Sequence, residues 1–411
     1  MIFLILVPTI LFSQSQSKKV LFIGNSYTYV NDLPQMISDM ANSTGDNLSF
    51  DSNCLGGYTL QAHHSNLTTL QKISLGDWDY VVLQEQSQLP SFPDSQIETQ
   101  VYPYAQFLDS VINSNTPCAE TIFFMTWGRK NGDASNCGVW PPVCTYEGMD
   151  SLLNLRYRIM AEANNAILSP VGQVWKYLRQ NHPEIELYQS DESHPSLAGT
   201  YAAACTFYTV IFRKNPELIS FNSTLNSETA VKIKAAAKHI VYENMLEWHV
   251  GEYDPKADFD YYIDNLTINF TNNSLNAISY IWEFGNGDFS TEINPQYSYS
   301  EPGNYNVILY AIKCELKDSI SKNVNIIVNS NDYHISKEKE IQFCINSDKI
   351  VFIENYNFKN VKIFDLSGKC IIDLNDFSGD FINLKDLMSG IYILQIFNDE
   401  MSLNKKIFIS K

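Results

Sequence analysis

Lys19-Val20-Leu21-Phe22-Ile23-Gly24-Asn25-Ser26-Tyr27-Thr28 is the stretch that decides the fold. Its apolar residues run continuously instead of alternating, as in a strand covered on both faces of a parallel sheet. The strand ends at Gly24, and a polar turn follows at once. Asp79–Leu83 and Thr121–Met125 read the same way. Around these strands lie runs with apolar residues at helical spacing, over 32–43, 150–168, 197–213 and 228–247. Strands alternating with helices predict βαβ units and a parallel sheet between helical layers. Functional residues of such sheets gather beyond the carboxyl ends of the strands, and Ser26 falls there, three residues after Ile23.

A serine at that place is exposed to substrate, and the preceding glycine frees the chain to turn sharply. Its hydroxyl needs a base to take its proton, and a histidine serves best when a carboxylate fixes its tautomer. Asp191-Glu192-Ser193-His194-Pro195 supplies both groups. At a separation of three in a tight turn, Asp191 can hold one imidazole nitrogen while the other faces Ser26. Glu192, directly beside Asp191, points elsewhere. Either motif alone also fits a plain structural role, Asn-Ser as a helix cap and Asp…His as a surface loop opening a helix at Pro195-Ser196.

Taken in order, GNSYT (24–28), Gly56-Gly57 after a predicted strand, and DESHP (191–195) resemble blocks I, II and V of the SGNH, or GDSL-like, hydrolases. LFIGNSYTYVNDLPQM, GGYTL, WDYVVLQEQS, MTWGR, PVGQVW and SDESHPSLAGTYAAAC are similar to one uncharacterised bacterial subfamily, over about residues 19–215. The resemblance implies a flavodoxin-like three-layer α/β/α fold and ester hydrolysis through an acyl-enzyme. It also implies an oxyanion hole from the amides of Ser26 and Gly57. The usual GxND of block III, with its asparagine donor, is absent, and Leu83-Gln84-Glu85-Gln86-Ser87 stands in its place. Gln84 or Gln86 is expected to donate instead, Gln84 being favoured; the competing reading has both satisfying buried backbone groups. Trp127, Arg129 and His64 are candidates for substrate binding, Trp127 or Trp140 as a sugar platform and Arg129 for a carboxylate or hydroxyls. His63 also follows the Gly56-Gly57 loop. Core packing for Trp127 and a surface helix position for the histidines are the alternatives. There is no GxSxG elbow, and no HExxH, GxxxxGK[ST] or GxGxxG pattern, so no metal, nucleotide or other cofactor is expected.

The rest of the chain speaks of export. Residues 1–17 combine a short apolar run with small and polar residues, the pattern of a signal peptide, although no Lys or Arg precedes the run. No other segment is long and apolar enough to span a bilayer. The net charge of −18 disfavours nucleic acid and anionic membrane as partners. None of the eight cysteines forms a CxxC pair, and Cys137 and Cys144, flanking a Gly-Val-Trp-Pro-Pro loop, are candidates for a local disulfide. After the hydrolase region (18–250) the pattern becomes all-β. WEFGNGD (282–288) and EPGNY (301–305) make 251–329 resemble a PKD-type Ig-like sandwich. A polar linker is expected at 330–340. Residues 341–411, with VKIFDLSGK (361–369) and the terminal KKIFI (405–409), resemble the C-terminal sorting domain of type IX secretion, which implies secretion machinery as a partner. The fold expected is therefore one three-layer α/β domain followed by two small all-β sandwiches. The function expected is a secreted serine ester hydrolase removing O-acetyl or similar acyl groups from a polysaccharide. The alternatives are a lipid esterase or thioesterase on the same triad, and a non-catalytic glycan-binding protein on the same scaffold.

Overall fold

The computed structural model describes residues 15–327 and, beyond them, 343–345, 349–352, 358–365, 368–397 and 402–409. Residues 1–14 of the expected signal peptide and the whole expected linker lie outside the described residues.

Five strands, β1 (Ser17–Gly24), β2 (Asn47–Cys54), β3 (Tyr80–Leu83), β4 (Glu120–Phe124) and β5 (Ile167–Ser169), form one parallel sheet in the order β2-β1-β3-β4-β5. This is the flavodoxin-like order, and its switch point lies between β1 and β3. Val20–Ile23 and Val81–Leu83 are fully buried because helices cover both faces. On one face lie α2 (Leu33–Ser43) and α9 (Leu197–Phe212), backed by α8 (Val171–Asn181) and α10 (Ser227–Ile240). On the other lie α4 (Leu67–Ile73), α6 (Tyr102–Asn115) and α7 (Tyr146–Ala163). Three short helices complete the domain: α1 (Ser26–Tyr29), α3 (Leu60–His64) and α5 (Asp94–Gln100). The run 197–213 is not the one-sided helix its spacing predicts, since nearly every residue of α9 is buried. Its Phe207 meets Phe22 of β1 and Phe124 of β4 edge-on, so α9 lies across the middle of the sheet. The run 150–168 divides into the end of α7 and the three-residue β5.

A sandwich follows. Its sheets are β10-β7-β6 and β12-β11-β8-β9, built from β6 (Phe259–Asp264), β7 (Thr267–Asn272), β8 (Ser279–Glu283), β9 (Phe289–Ser290), β10 (Gln296–Ser298), β11 (Gly303–Lys313) and β12 (Leu316–Ile326). Trp282 is fully buried at its centre against Phe259 and Phe270. A disulfide between Cys118 and Cys314 joins this sandwich to the α/β domain. Arg213, just past α9, adds an ion pair to Asp254 and a second to Glu120 at 3.4 Å. Residues 328–411 are a separate unit. There β13 (Phe343–Ile345), β14 (Lys349–Phe352) and β17 (Phe381–Asn383) make one antiparallel sheet. β15 (Phe358–Phe364), β16 (Cys370–Phe377), β18 (Gly390–Phe397) and β19 (Ser402–Ile409) make the other. Among the described residues no helix is long and apolar enough to cross a membrane.

Candidate active site

Ser26 is the first residue of α1, directly beyond β1. Asn25 caps that helix, its side-chain oxygen accepting from the Tyr27 N–H. Capping leaves the Ser26 N–H in the first turn without a partner inside the helix. On the far side of the cleft, the Asp191 carboxylate accepts from the Ser193 N–H at 3.0 Å and the His194 N–H at 2.9 Å. These two bonds curl 191–194 into a tight turn, which Glu192 completes with a positive φ of 61°. The turn brings Asp191 Oδ2 to 2.5 Å from His194 Nδ1. The other imidazole nitrogen, Nε2, lies 2.8 Å from Ser26 Oγ. With a carboxylate on Nδ1, that nitrogen carries the proton and Nε2 is free to accept from the serine. Partial burial pushes the Asp191 carboxyl up, but the bonds from the His194 ring and the two amides outweigh it and hold it below the usual range. Asp191 and His194 are open to solvent, with side chains 47% and 32% exposed, so a bulky substrate can reach them.

The site is held from beneath by polar side chains. Gln84 Oε1 accepts from the Asn25 N–H at 2.9 Å and from Thr28 Oγ1 at 3.0 Å, and its Nε2 donates to the Glu85 carbonyl. Gln84 is fully buried, with its carboxamide turned into this support. It is therefore not the free donor that block III was expected to provide; the backbone-satisfying reading describes it. Gly24 owes its place to this packing rather than to a turn, since a Cβ there would come within 2.7 Å of Gln84 Oε1. Gln86 Oε1 accepts from the Gln88 and Leu89 N–H groups, capping the short 3₁₀ turn Leu89–Ser91. Its Nε2 keeps only long contacts, 3.2 Å to Gln88 Oε1 and 3.4 Å to Ser87 Oγ. Gln86 is thus the half-buried one of the two, its amide held by long contacts. Gly57 sits exposed on the 55–59 loop with φ +71°, a conformation that favours glycine.

The remaining candidates divide. Trp127 is fully buried, stacked at 4.7 Å on Tyr27 and at 3.8 Å on Trp175, with Nε1 donating to the Ser193 carbonyl. It is no sugar platform; it packs the serine helix against the histidine loop, as core packing predicts. Trp140 is likewise committed, donating to the Ser91 carbonyl. His63 is fully buried, with Nε2 on the Gly24 carbonyl at 2.9 Å and Nδ1 on Thr69 Oγ1 at 2.8 Å. Burial lowers its pKa, so it stands neutral as a strut beneath the serine loop. His64 turns away, its ring against Tyr104 and Phe107 of α6. Arg129 is half-buried, reaches Asp133 at 3.5 Å, and has an Nε without a hydrogen-bond partner among the described residues. The next residue binds the histidine loop, Lys130 N–H to the Glu192 carbonyl at 2.9 Å. Cys137 and Cys144 form the local disulfide beside it. Sequence reading missed Tyr27, whose hydroxyl meets Ser193 Oγ at 2.7 Å, and Asn31, whose amide spans Pro195 and Thr200. Both stand in the block that holds Ser26, and only distance in space reveals their partners.

Sequence comparison agrees with this architecture. Residues 263–328 match the PKD domain family, and residues 340–410 match the secretion system C-terminal sorting domain family. The chain is 41% identical over 59 residues to the pre-pro-metalloprotease PrtV of Vibrio cholerae, a stretch that is 13% of this chain and 6% of that protein. Among solved structures it is similar to a DUF4886 family protein from Bacteroides uniformis, at 17% identity and a TM-score of 0.47, covering 56% of this chain and 95% of that one. It is also similar to a candidate SGNH hydrolase from Slackia heliotrinireducens, at 23% identity and a TM-score of 0.39, covering 47% and 97%. The α/β domain itself has the flavodoxin-like strand order β2-β1-β3-β4-β5. After the α/β domain the chain carries a PKD domain and a secretion system C-terminal sorting domain, and the sorting domain marks it for secretion to the cell surface or the extracellular space.

Proposed function

We propose that the protein is a secreted serine ester hydrolase that removes acetyl or similarly small acyl groups from a polysaccharide. The observation that carries this reading is the unbroken chain from Asp191 Oδ2 through His194 to Ser26 Oγ, with 2.5 Å and 2.8 Å links. In the reaction, Ser26 Oγ attacks the ester carbonyl while His194 Nε2 takes its proton. Asp191 steadies the resulting imidazolium. The negative oxygen of the tetrahedral intermediate is met by the Ser26 and Gly57 N–H groups and the Gln86 carboxamide. As the intermediate collapses, the alcohol departs with the proton from His194, leaving an acyl-serine. A water molecule activated by the same histidine then releases the acid. A positioned base of this kind is worth about 10²–10⁴ in rate.

The solvent-open triad supports a substrate too large to enter a closed pocket, and the PKD and sorting domains support action outside the cell. The test is release of acetate from acetylated polysaccharides, and of p-nitrophenol from its acetate and butyrate esters, by the full chain beside Ser26→Ala. Turnover lost in the variant is the expected result. Turnover equal in both, or absent from both, contradicts it, and glycan binding unaffected by Ser26→Ala would favour a non-catalytic binding protein.

A further inference from the structure

A carboxyl group that the reaction above does not use lies behind the site. Glu85 directly follows Gln84 and is fully buried. Its Oε2 accepts from the Leu60 N–H, the first of α3, at 3.1 Å, and its Oε1 accepts from the Gln86 N–H at 2.5 Å. A buried carboxyl is costly unless its oxygens are occupied, and both of these are held by main-chain donors, not by a cation. Leu60 closes the loop that carries Gly57, while Gln86 opens the loop that carries the remaining block III amide. One side chain therefore ties together the segments from which two of the oxyanion donors come. Tyr157 of α7 is an ionisable side chain beside it, and burial keeps that phenol neutral.

We propose that Glu85 is a positioning residue that sets the spacing of the Gly57 and Gln86 oxyanion donors by clamping the Leu60 and Gln86 amides to one carboxyl. The proposal rests on the ester-hydrolase reading. Glu85→Gln is the discriminating change, because the amide matches the carboxyl in size yet can accept at only one end, turning its NH₂ toward the other donor. Loss of an oxyanion donor costs about 10²–10³ in kcat, so partial misplacement should lower kcat by about 10- to 100-fold. KM should move by less than about threefold, and Tm should fall only modestly, since one main-chain donor loses its acceptor while the fold is kept. Amide hydrogen exchange of the full chain is the second measurement, and it needs no turnover. Glu85→Gln should speed exchange in 55–62 or in 84–90, whichever segment holds the donor that loses its acceptor. A kcat within twofold of wild type, or exchange unchanged in both segments, overturns the proposal. Wild-type protein inactive on every ester, yet with exchange altered as expected, would remove the hydrolase reading while leaving the clamp.

Discussion

Gly24, Gln84 and Glu85 explain one another. Gly24 carries no side chain because Gln84 Oε1 occupies that space, and Gln84 faces inward because the Asn25 N–H beneath the serine needs an acceptor. Glu85 then turns to the opposite loop. Burial raises its carboxyl from the ordinary value to about 8, although the Gln86 and Leu60 N–H groups pull it down. The native state therefore keeps a proton between about pH 4.5 and 8 that the unfolded chain releases, so this residue's contribution to stability is full below pH 4.5 and is lost as pH rises toward 8. Melting curves from pH 5 to 9 should show Tm falling more steeply in wild type than in Glu85→Gln; parallel curves would contradict that assignment. That Ser26, Asp191 and His194 come together was legible in the sequence, because a serine just past a strand end and an Asp…His pair three apart in a turn are particular residue types in a particular order. The division of labour between Gln84 and Gln86 was not, since it depends on which amide finds a buried partner. Both are glutamines one residue apart, and no pattern in a single chain distinguishes them.

At the scale of elements, the serine helix and the histidine loop meet through an aromatic stack, Tyr27 on Trp127 on Trp175. Trp175 belongs to α8, so three segments distant in sequence fix the gap that His194 must bridge to Ser26. Trp127→Ala opens a large cavity there and should cost about 3–5 kcal/mol. Trp127→Phe keeps an aromatic ring but gives up the bond to the Ser193 carbonyl. It should lower kcat with a small change in Tm, which steady-state kinetics and a thermal melt together would show. β1, β3 and β4 could be read from sequence because they are short, continuous apolar runs. β2 is mostly polar and lies at the sheet edge, β5 has three residues, and α9 is apolar on all sides, so period alone describes each poorly. A tryptophan at a strand end was ambiguous between platform and core for the same reason: periodicity does not say which side the neighbouring helix covers.

Over the whole molecule, the Cys118–Cys314 disulfide fastens the PKD sandwich to the α/β domain across 196 residues of sequence. Disulfides of this kind persist in oxidising surroundings, in keeping with a chain addressed for secretion. Closing so long a loop typically stabilises by about 2–4 kcal/mol. The double variant Cys118→Ser, Cys314→Ser should lower Tm, and calorimetry should separate the transitions of the two domains; an unchanged single transition would mean that Arg213 and its carboxylates suffice. The domain order was legible in motifs, whereas the bridge was not, because cysteine spacing says nothing of partners in different domains. The central claim, that Ser26 is an activated nucleophile, is tested most directly by treating the full chain with a fluorophosphonate and mapping the adduct by peptide mass spectrometry. The expected result is a single adduct on Ser26, formed fast in wild type and lost in His194→Ala. No adduct on Ser26, or one formed equally fast without His194, would contradict it.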